Sequence, residues 1–160
     1  MVTVSGSRSG RVSVAGLVCL RPGAPARLFY RIRIHRSRRG ERQSMSEADY
    51  AALVTAAHRT LKAPVIVIWD NLNTHISGVM RQFTSGHPDW LTVIQMPAYA
   101  PELNATEGVW ANLKGGLGNL AAGTIDELAG IIRRRLRRIQ HHPGLISGFF
   151  GQTGLTLEPP

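Results

Sequence analysis

Carboxylates are the side chains of this sequence best suited to chemistry, and the chain has only ten of them. Eight have ordinary settings at the start of a predicted helix, in a polar loop or in the tail: Glu41, Glu47, Asp49, Asp89, Glu102, Asp126, Glu127 and Glu158. The remaining two are Asp70 and Glu107. Asp70 directly follows an apolar run, where a charge is costly unless it pairs or binds a metal. Asp70 and Glu107 are therefore the candidate catalytic residues.

Both candidates also have plain structural interpretations. The carboxyl ends of strands bind ligands in open α/β sheets, but an aspartate at a strand end can equally cap the turn over residues 71–74. Glu107 stands three residues after Asn104, where a glutamate can complete the capping of a helix start. His75, five residues after Asp70, could orient a ligand or serve packing alone. Residue types alone leave these alternatives open.

The strands that must position these residues can be predicted from periodicity. Residues 11–20 and 28–34 alternate apolar and polar side chains around a Pro-Gly turn, which predicts an antiparallel hairpin. Residues 65–69 and 91–96 are continuous apolar runs, which predicts two strands buried on both faces. Asp70 would then lie at the end of a buried strand.

Capping residues predict the helices. Ser44 with Glu47, and Thr124 with Glu127, form capping boxes, and Asn104 can cap a helix that contains Glu107. The order of elements is β-β-α-β-α-β-α-α, which indicates an α/β layered fold. We expect one domain over residues 11–155, an irregular N-terminus over residues 1–10 and a tail over residues 156–160.

The charge of the chain favours a polyanionic partner. Nineteen basic and ten acidic residues give a net charge of +9, and seventeen of the basic residues are arginine. No Asp or Glu precedes Glu41. Arginine suits bidentate phosphate contacts, and the polyanionic partner of such a domain is most often a nucleic acid. From charge alone, a merely soluble basic surface is an equally good interpretation.

Several other classes are disfavoured by what the sequence does not contain. Its longest apolar stretches are far shorter than the roughly twenty residues of a membrane span, so we expect no membrane association. Its one cysteine, Cys19, cannot form an intrachain disulfide. Phosphate-binding loop, zinc-protease and nucleophile-elbow motifs are also lacking.

Two segments together resemble a known family. Residues 65–75 read VIVIWDNLNTH, and residues 95–114 read QMPAYAPELNATEGVWANLK. They resemble the second and third catalytic blocks of bacterial insertion-sequence DDE transposases related to mariner. Those blocks read hydrophobic strand-Asp-Asn-x-x-x-His and Pro-x-Tyr-x-Pro-x-Leu-Asn-Pro-x-Glu-x-x-Trp. The thirty-six residues between Asp70 and Glu107 match the family's spacing.

The resemblance implies an α/β fold of the RNase H-like type, a mixed sheet flanked by helices. It implies a DDE endonuclease that cleaves and transfers DNA strands during transposition, using two Mg²⁺ or Mn²⁺ ions held by three carboxylates. On this template Asp70 and Glu107 are catalytic residues and the second and third metal ligands, and Asn71 and His75 orient them. The residues implied to contact DNA phosphates are Arg31, Arg33, Arg36, Arg38, Arg39, Lys114, Arg133, Arg134, Arg137 and Arg138.

The resemblance also implies partners and a location. The partners are double-stranded DNA, as transposon ends and target, and either further copies of this chain in a homo-oligomer or a full-length transposase. The location is the bacterial cytoplasm, in association with the nucleoid.

The sequence departs from the family pattern in three ways. The family's first Asp lies on a strand before the hairpin, and nothing acidic precedes Glu41 here. The family's N-terminal helix-turn-helix has no counterpart, and Ala105 and Thr106 replace a Pro and an aliphatic residue. We therefore expect the sheet to lack its first strand, which leaves the neighbouring edges unpaired. The isolated chain should then be unstable, self-associate or need a strand from elsewhere.

Two functions compete on these grounds. The first is a transposase catalytic fragment whose first Asp is supplied by upstream sequence or by a partner chain. The second is an inactive truncated remnant that only binds DNA or transposase. A generic basic nucleic-acid-binding domain is a third reading, which the two motif blocks disfavour. Under the first two readings we expect no DNA nicking by this chain alone.

Overall fold

The fold begins with a three-stranded antiparallel sheet. In the computed structural model, which describes residues 1–5, 10–36, 40, 44–98, 100–117 and 123–157, the strands are β1 (Val2–Ser5), β2 (Arg11–Arg21) and β3 (Ala24–His35), in the order β1-β2-β3. The predicted hairpin is confirmed as β2–β3. Gly23 in its turn has a φ of 71°, in the left-handed region that favours glycine.

The strand β1 corrects the expectation of an irregular N-terminus. Val2 pairs with Val14 and Ser5 pairs with Arg11, antiparallel to β2. Val2 is also buried in the core. The Val-Thr-Val sequence has high β-propensity, but four residues followed by a Ser/Gly-rich stretch are too short for periodicity to reveal them. Residues 6–9 lie outside the described part of the chain.

A second, parallel sheet carries Asp70 at its edge. The strand β4 (Val65–Trp69) pairs with β5 (Leu91–Gln95), and α1 (Glu47–Leu61) precedes β4. Parallel neighbours need a crossover, which is supplied by the segment containing α2 (Gly78–Ser85).

The prediction that β4 and β5 are buried on both faces is wrong. The odd-numbered residues of β4 are buried, whereas Ile66 and Ile68 are 66% and 57% exposed, and Ile94 of β5 is 49% exposed. Residues from α1 and α2 pack against the buried face. A continuous apolar run cannot show which of its faces is covered, so this difference was not visible in the sequence.

Three helices pack on the antiparallel sheet. They are α3 (Ala105–Gly115), α4 (Ile125–Gln140) and α5 (Pro143–Gly151), with a 3₁₀ turn at Pro101–Leu103. The predicted caps of α3 and α4, Asn104 and Thr124, are confirmed. The helix α5 was not among the predicted elements. It starts at Pro143, and a proline after α4 signals the end of that helix as readily as the start of a new one.

Two hydrophobic clusters hold these layers together. The first lies between β1–β3 and α3–α5, and its most buried large members include Leu28, Trp110 and Ile132. The second joins β4 and β5 to α1 and α2, and it also contains Ala15 of β2. Among the helices that the structure describes, none has the length and apolarity of a membrane span.

The expected lack of a first strand is only partly right. A strand does flank the hairpin, but β1 pairs only with residues 11–14 of β2. Within the described chain, residues 15–21 of β2 have a strand neighbour on the β3 side alone, and β4 has one on the β5 side alone. The unpaired edges predicted from the sequence are therefore present, although shorter on β2 than expected.

Candidate functional site

Asp70 lies immediately beyond β4, with its side chain 43% exposed. Its Oδ1 accepts hydrogen bonds from His75 Nδ1 at 2.9 Å and from the backbone N–H of Leu72 at 3.3 Å. The hydrogen bond from His75 is the main reason that the pKa of Asp70 lies below its ordinary value, and partial burial opposes this only in part. Asp70 therefore caps the turn through Oδ1, whereas Oδ2 has no hydrogen-bond partner among the described residues.

His75 is held rigidly beside Asp70. Its side chain is only 9% exposed. Its ring stacks on Trp69 at a centroid distance of 4.8 Å and meets the edge of Tyr50 at 4.5 Å. Nδ1 also lies 3.2 Å from the carbonyl oxygen of Asp70, so a proton on Nδ1 serves two acceptors of the same residue. This arrangement fixes the orientation of the Asp70 carboxylate.

Asn71 joins the ends of β4 and β5. Its Nδ2 donates to the carbonyl oxygen of Met96 at 3.1 Å, and the N–H of Met96 donates to the carbonyl oxygen of Trp69 at 2.9 Å. Because Asp70 lies between Trp69 and Asn71, these bonds fix the backbone on either side of it. The two residues expected to orient the site, Asn71 and His75, both contact the Asp70 segment.

Glu107 lies in the first turn of α3, with its side chain exposed. The Asn104 side chain caps this helix by accepting from the N–H of Thr106 at 3.1 Å, and the N–H of Glu107 donates to the Asn104 carbonyl at 2.9 Å. The Glu107 carboxylate makes no reciprocal capping bond within the described chain, since the Asn104 N–H donates to Pro101 instead. The Glu107 carboxylate is therefore not needed to cap α3, and its oxygens are available to bind another group.

Asp70 and Glu107 both influence the α-amino group of Met1. Partial desolvation lowers the pKa of the α-amino group of Met1. Asp70 and Glu107 act on the same amino group in the opposite direction, and Lys114 adds to the lowering. Because one group senses all three side chains, the end of β4 and the α3 helix both lie on the side of the molecule where β1 starts.

This edge offers two carboxylates of the kind that bind Mg²⁺ or Mn²⁺, which prefer oxygen ligands. A divalent cation of this kind can be held by one or two carboxylates while it retains several waters. A group of three acidic, histidine or cysteine ligands does not occur among the described residues. The residues present therefore fit part of a metal site and not a complete one.

Three of the arginines expected to contact DNA make ion pairs within the chain. Arg31 Nε and Arg33 Nη1 contact the two oxygens of Asp49 at 2.9 and 2.6 Å. Arg36 binds both oxygens of Asp126 in an exposed, bidentate pair at 3.0 and 2.7 Å. Arg38 and Arg39 lie outside the described residues.

Asp49 is the charged residue that sequence reasoning missed. It is 5% exposed, and it closes a capping box with Ser46, two residues beyond the predicted Ser44 start. Burial raises its pKa, but hydrogen bonds from Ser46, Arg33 and Arg31 outweigh burial and hold the pKa well below its ordinary value. The Ser-x-x-Asp pattern was a usable signal for the cap, but the pairing with β3 is a tertiary contact.

Four of the five remaining expected DNA contacts form an exposed basic face on α4. Leu136 and Ile132 on the inner side of this helix are buried, whereas the outer arginines are exposed: Arg133, Arg134, Arg137 and Arg138. We call these four residues the α4 basic face. Lys114, at the end of α3, is also exposed and lies within electrostatic range of Met1.

Known proteins share the sequence pattern and the architecture of this chain. A family profile described as "DDE superfamily endonuclease" matches residues 3–129. The crystal structure of the catalytic domain of Mos1 mariner transposase is 14% identical, with a TM-score of 0.52 over 92% of this chain and 83% of that chain. The same catalytic domain with raltegravir and Mn is 15% identical, with a TM-score of 0.52 over 92% of this chain and 84% of that chain. The search of curated proteins found no significant match.

Proposed function

Because the chain belongs to the DDE superfamily of endonucleases, we propose that the Asp70–Glu107 edge is part of a metal-dependent site for DNA strand cleavage and transfer in transposition. The observation that carries this proposal is that Asp70 and Glu107, far apart in the sequence, both act electrostatically on the α-amino group at the start of β1. Both carboxylates act on that one amino group, and neither has both of its oxygens engaged in hydrogen bonds within the described chain. The RNase H-like fold shared with the mariner transposase domain is consistent with it.

Each residue of this edge has a distinct role in the proposed site. A bound divalent ion would supply Lewis-acid activation for in-line phosphoryl transfer. Asp70 would ligate it through the carboxylate that His75 orients and keeps ionised. Glu107 would ligate it from the first turn of α3, with its carboxylate free of capping bonds in the described chain. Asn71 would hold the β4 and β5 ends at a fixed spacing.

DNA would be held by charge and not by base recognition. The α4 basic face is exposed, and arginine contacts to phosphates position a duplex without reading its sequence. Three arginines already pair with carboxylates, so we assign them a smaller share of the DNA binding: Arg31, Arg33 and Arg36. A bacterial chromosome as the target would place the protein in the cytoplasm, at the nucleoid.

The site of this chain would be incomplete by itself. A two-metal DDE site uses three carboxylates, and nothing acidic precedes Glu41. We therefore propose that a further carboxylate comes from another segment or chain, which makes a homo-oligomer or a full-length transposase a fitting partner. The alternative function, an inactive remnant that only binds DNA, rests on the same absence of acidic residues before Glu41.

Metal binding tests the proposal without requiring activity. Calorimetric titration with Mn²⁺ should detect weak binding that Asp70→Asn and Glu107→Gln each reduce by about tenfold or more, since each removes one of two anionic ligands. Asp89→Asn, which removes an exposed turn carboxylate, is the matched control and should bind like the parent. Equal Mn²⁺ binding by all four proteins would refute the site, whereas nicking of plasmid DNA by the parent chain alone would refute its incompleteness.

A further inference from the structure

The strand β3 forms the outer edge of the antiparallel sheet. It pairs with β2 on one side, and on its other side the described part of the chain provides no strand. The carbonyl oxygen of Leu28 accepts a hydrogen bond from Gln140 Nε2 of α4 at 2.8 Å, so the backbone of Leu28 faces away from β2. Backbone groups of successive residues in an antiparallel ladder alternate between its two sides, and the register is regular here. Tyr30 and Ile32 therefore also direct their N–H and C=O groups outward.

An open cavity of about 600 Å³ lies along this edge. Its lining combines residues of β3 with charged residues of α1 and α4: Tyr30, Arg31, Ile32, Arg33, Asp49 and Arg133. Arg31 and Arg33 lie on the side of the sheet that α1 covers, because both pair with Asp49 of that helix. Arg133 belongs to α4, which packs on the opposite side. Positive charge therefore flanks the open edge on both faces of the sheet.

Asp49 holds the two β3 arginines in place without occupying all of their donors. Arg31 contacts it through Nε and Arg33 through Nη1, and their other guanidinium nitrogens have no partner among the described residues. The two side chains remain 50% and 44% exposed. Since three arginines line the cavity against one carboxylate, this edge favours an anionic occupant that can accept charge-assisted hydrogen bonds.

An extended acidic segment fits both the backbone and the charge of this edge. In strand addition, backbone hydrogen bonds supply affinity and alternate side chains supply specificity. Opposite charges on directly opposed residues of neighbouring strands attract, and like charges repel. A second copy of β3 in an antiparallel pair would set arginines against arginines, so this chain is a poor partner for itself. Carboxylates suit the positions opposite Arg31 and Arg33, and apolar side chains suit those opposite Tyr30 and Ile32.

We propose that the outer edge of β3 binds an extended acidic strand of another protein, with carboxylates opposite Arg31 and Arg33 and backbone hydrogen bonds to Tyr30 and Ile32. Side chains on the other face of the added strand reach Arg133. The surface lies on the side of the hairpin away from β1, and the proposal does not depend on DNA cleavage.

Amide hydrogen exchange of the full chain, with a short peptide of alternating Val and Glu, tests the backbone contacts. Binding should slow exchange at Tyr30 and Ile32 by about tenfold or more, because their N–H groups gain acceptors. Exchange at Arg31 and Arg33, whose backbone groups already face β2, should change little. The matched control is a peptide of the same length in which Pro replaces each Val. It keeps every carboxylate but loses the N–H groups that would donate to β3, and it should give no protection.

Fluorescence anisotropy with the labelled Val-Glu peptide tests the charge contacts. Arg133→Gln should weaken binding about fivefold or more, because it removes a cation of the cavity. Arg138→Gln removes an exposed arginine of the same helix that does not line the cavity, and it should bind like the parent. Arg31 and Arg33 are kept, because their loss would leave Asp49 buried without its partners.

Three results would overturn the proposal. The first is equal binding by the Val-Glu and Pro-Glu peptides, or protection that does not alternate between Tyr30 and Arg31. The second is an equal loss of affinity in Arg133→Gln and Arg138→Gln. The third is protection of Tyr30 and Ile32 by a DNA duplex and not by the peptide, which would assign the edge to nucleic acid.

Discussion

At the scale of single residues, the environment of Asp70 decides what the site can do. A carboxylate at a strand end can cap a turn, and Asp70 does so through Oδ1. The same oxygen accepts from His75, whose ring is fixed by Trp69 and Tyr50. The histidine therefore positions Asp70 and favours its ionised form, which is the form that binds a metal.

Removing the His75 hydrogen bond should raise the pKa of Asp70. His75→Phe keeps an aromatic ring between Tyr50 and Trp69 but deletes Nδ1, the largest cause of the lowered pKa. Since the folded pKa is depressed, this bond stabilises the fold above the unfolded-state pKa, and the stabilisation is lost as pH falls through the folded pKa. The variant should lose that stabilisation of the fold. As the pH falls, its Mn²⁺ binding should be lost at a higher pH than in the parent protein. Carboxyl NMR titration measures the pKa directly.

The matched control is His87→Phe. His87 also donates a hydrogen bond through Nδ1, but its acceptor is the backbone carbonyl of Phe83, and its ring contacts Trp90 instead of Trp69 and Tyr50. This variant should leave the Asp70 titration unchanged. An unaltered Asp70 pKa in His75→Phe would show that the positioning role is wrong.

At the scale of elements, α5 determines where Glu107 stands. Gly108 follows Glu107 directly, and an added Cβ there would lie 2.8–2.9 Å from three atoms of Phe149 on α5. The buried residues Val109 and Trp110 continue the contact of α3 with the sheet and helices. The glycine thus allows two helices to approach closely, and that approach sets the position of the carboxylate.

Gly108→Ala should therefore destabilise the fold in spite of the higher helix propensity of alanine. Overpacking in a well-packed core costs about 1–3 kcal/mol, which exceeds the roughly 0.5–1 kcal/mol gained by replacing a helical glycine. Denaturant unfolding should show a net loss for this variant. Gly130→Ala in α4 is the control, because its Cβ would meet nothing closer than Arg134 at 4.0 Å. It should stabilise; the same gain in Gly108→Ala would contradict the packing argument.

The elements that the sequence predicted are those with long, regular patterns. The hairpin β2–β3 and the capped starts of α3 and α4 follow from alternation and from polar caps. The four-residue strand β1 is too short to show a period, and α5 is rich in glycine and begins at a proline. The exposed face of β4 depends on what packs above it, which local sequence does not encode.

The candidate functional residues also divide into those marked by a local motif and those whose contacts depend on the tertiary fold. Asp70 and Glu107 could be predicted as candidate site residues because each stands in a distinctive local motif. The roles of Arg31 and Arg33 could not, since their contacts with Asp49 join residues 18 and 16 positions apart. Nothing in the alternation of β3 distinguishes an arginine that pairs with a buried carboxylate from one that faces DNA.

At the scale of the whole molecule, the distribution of charge separates two kinds of arginine. Some neutralise carboxylates within the fold, as Arg36 does with Asp126. The α4 basic face is exposed along the outer side of one helix, opposite the buried residues Ile132 and Leu136. If DNA binds by phosphate contacts, this face should contribute more to affinity than an equal charge located elsewhere.

The salt dependence of DNA binding tests that distribution. Each phosphate contact adds about 0.9 to the slope of log K against log salt. Replacing the α4 basic face by glutamine should therefore reduce the slope by about 2–4 and weaken binding similarly for all DNA sequences. The charge-matched control replaces four other exposed arginines: Arg21, Arg27, Arg59 and Arg81. Fluorescence anisotropy with a duplex at several salt concentrations measures both. A control that loses as much slope as the α4 variant would show that net charge, and not this face, binds DNA.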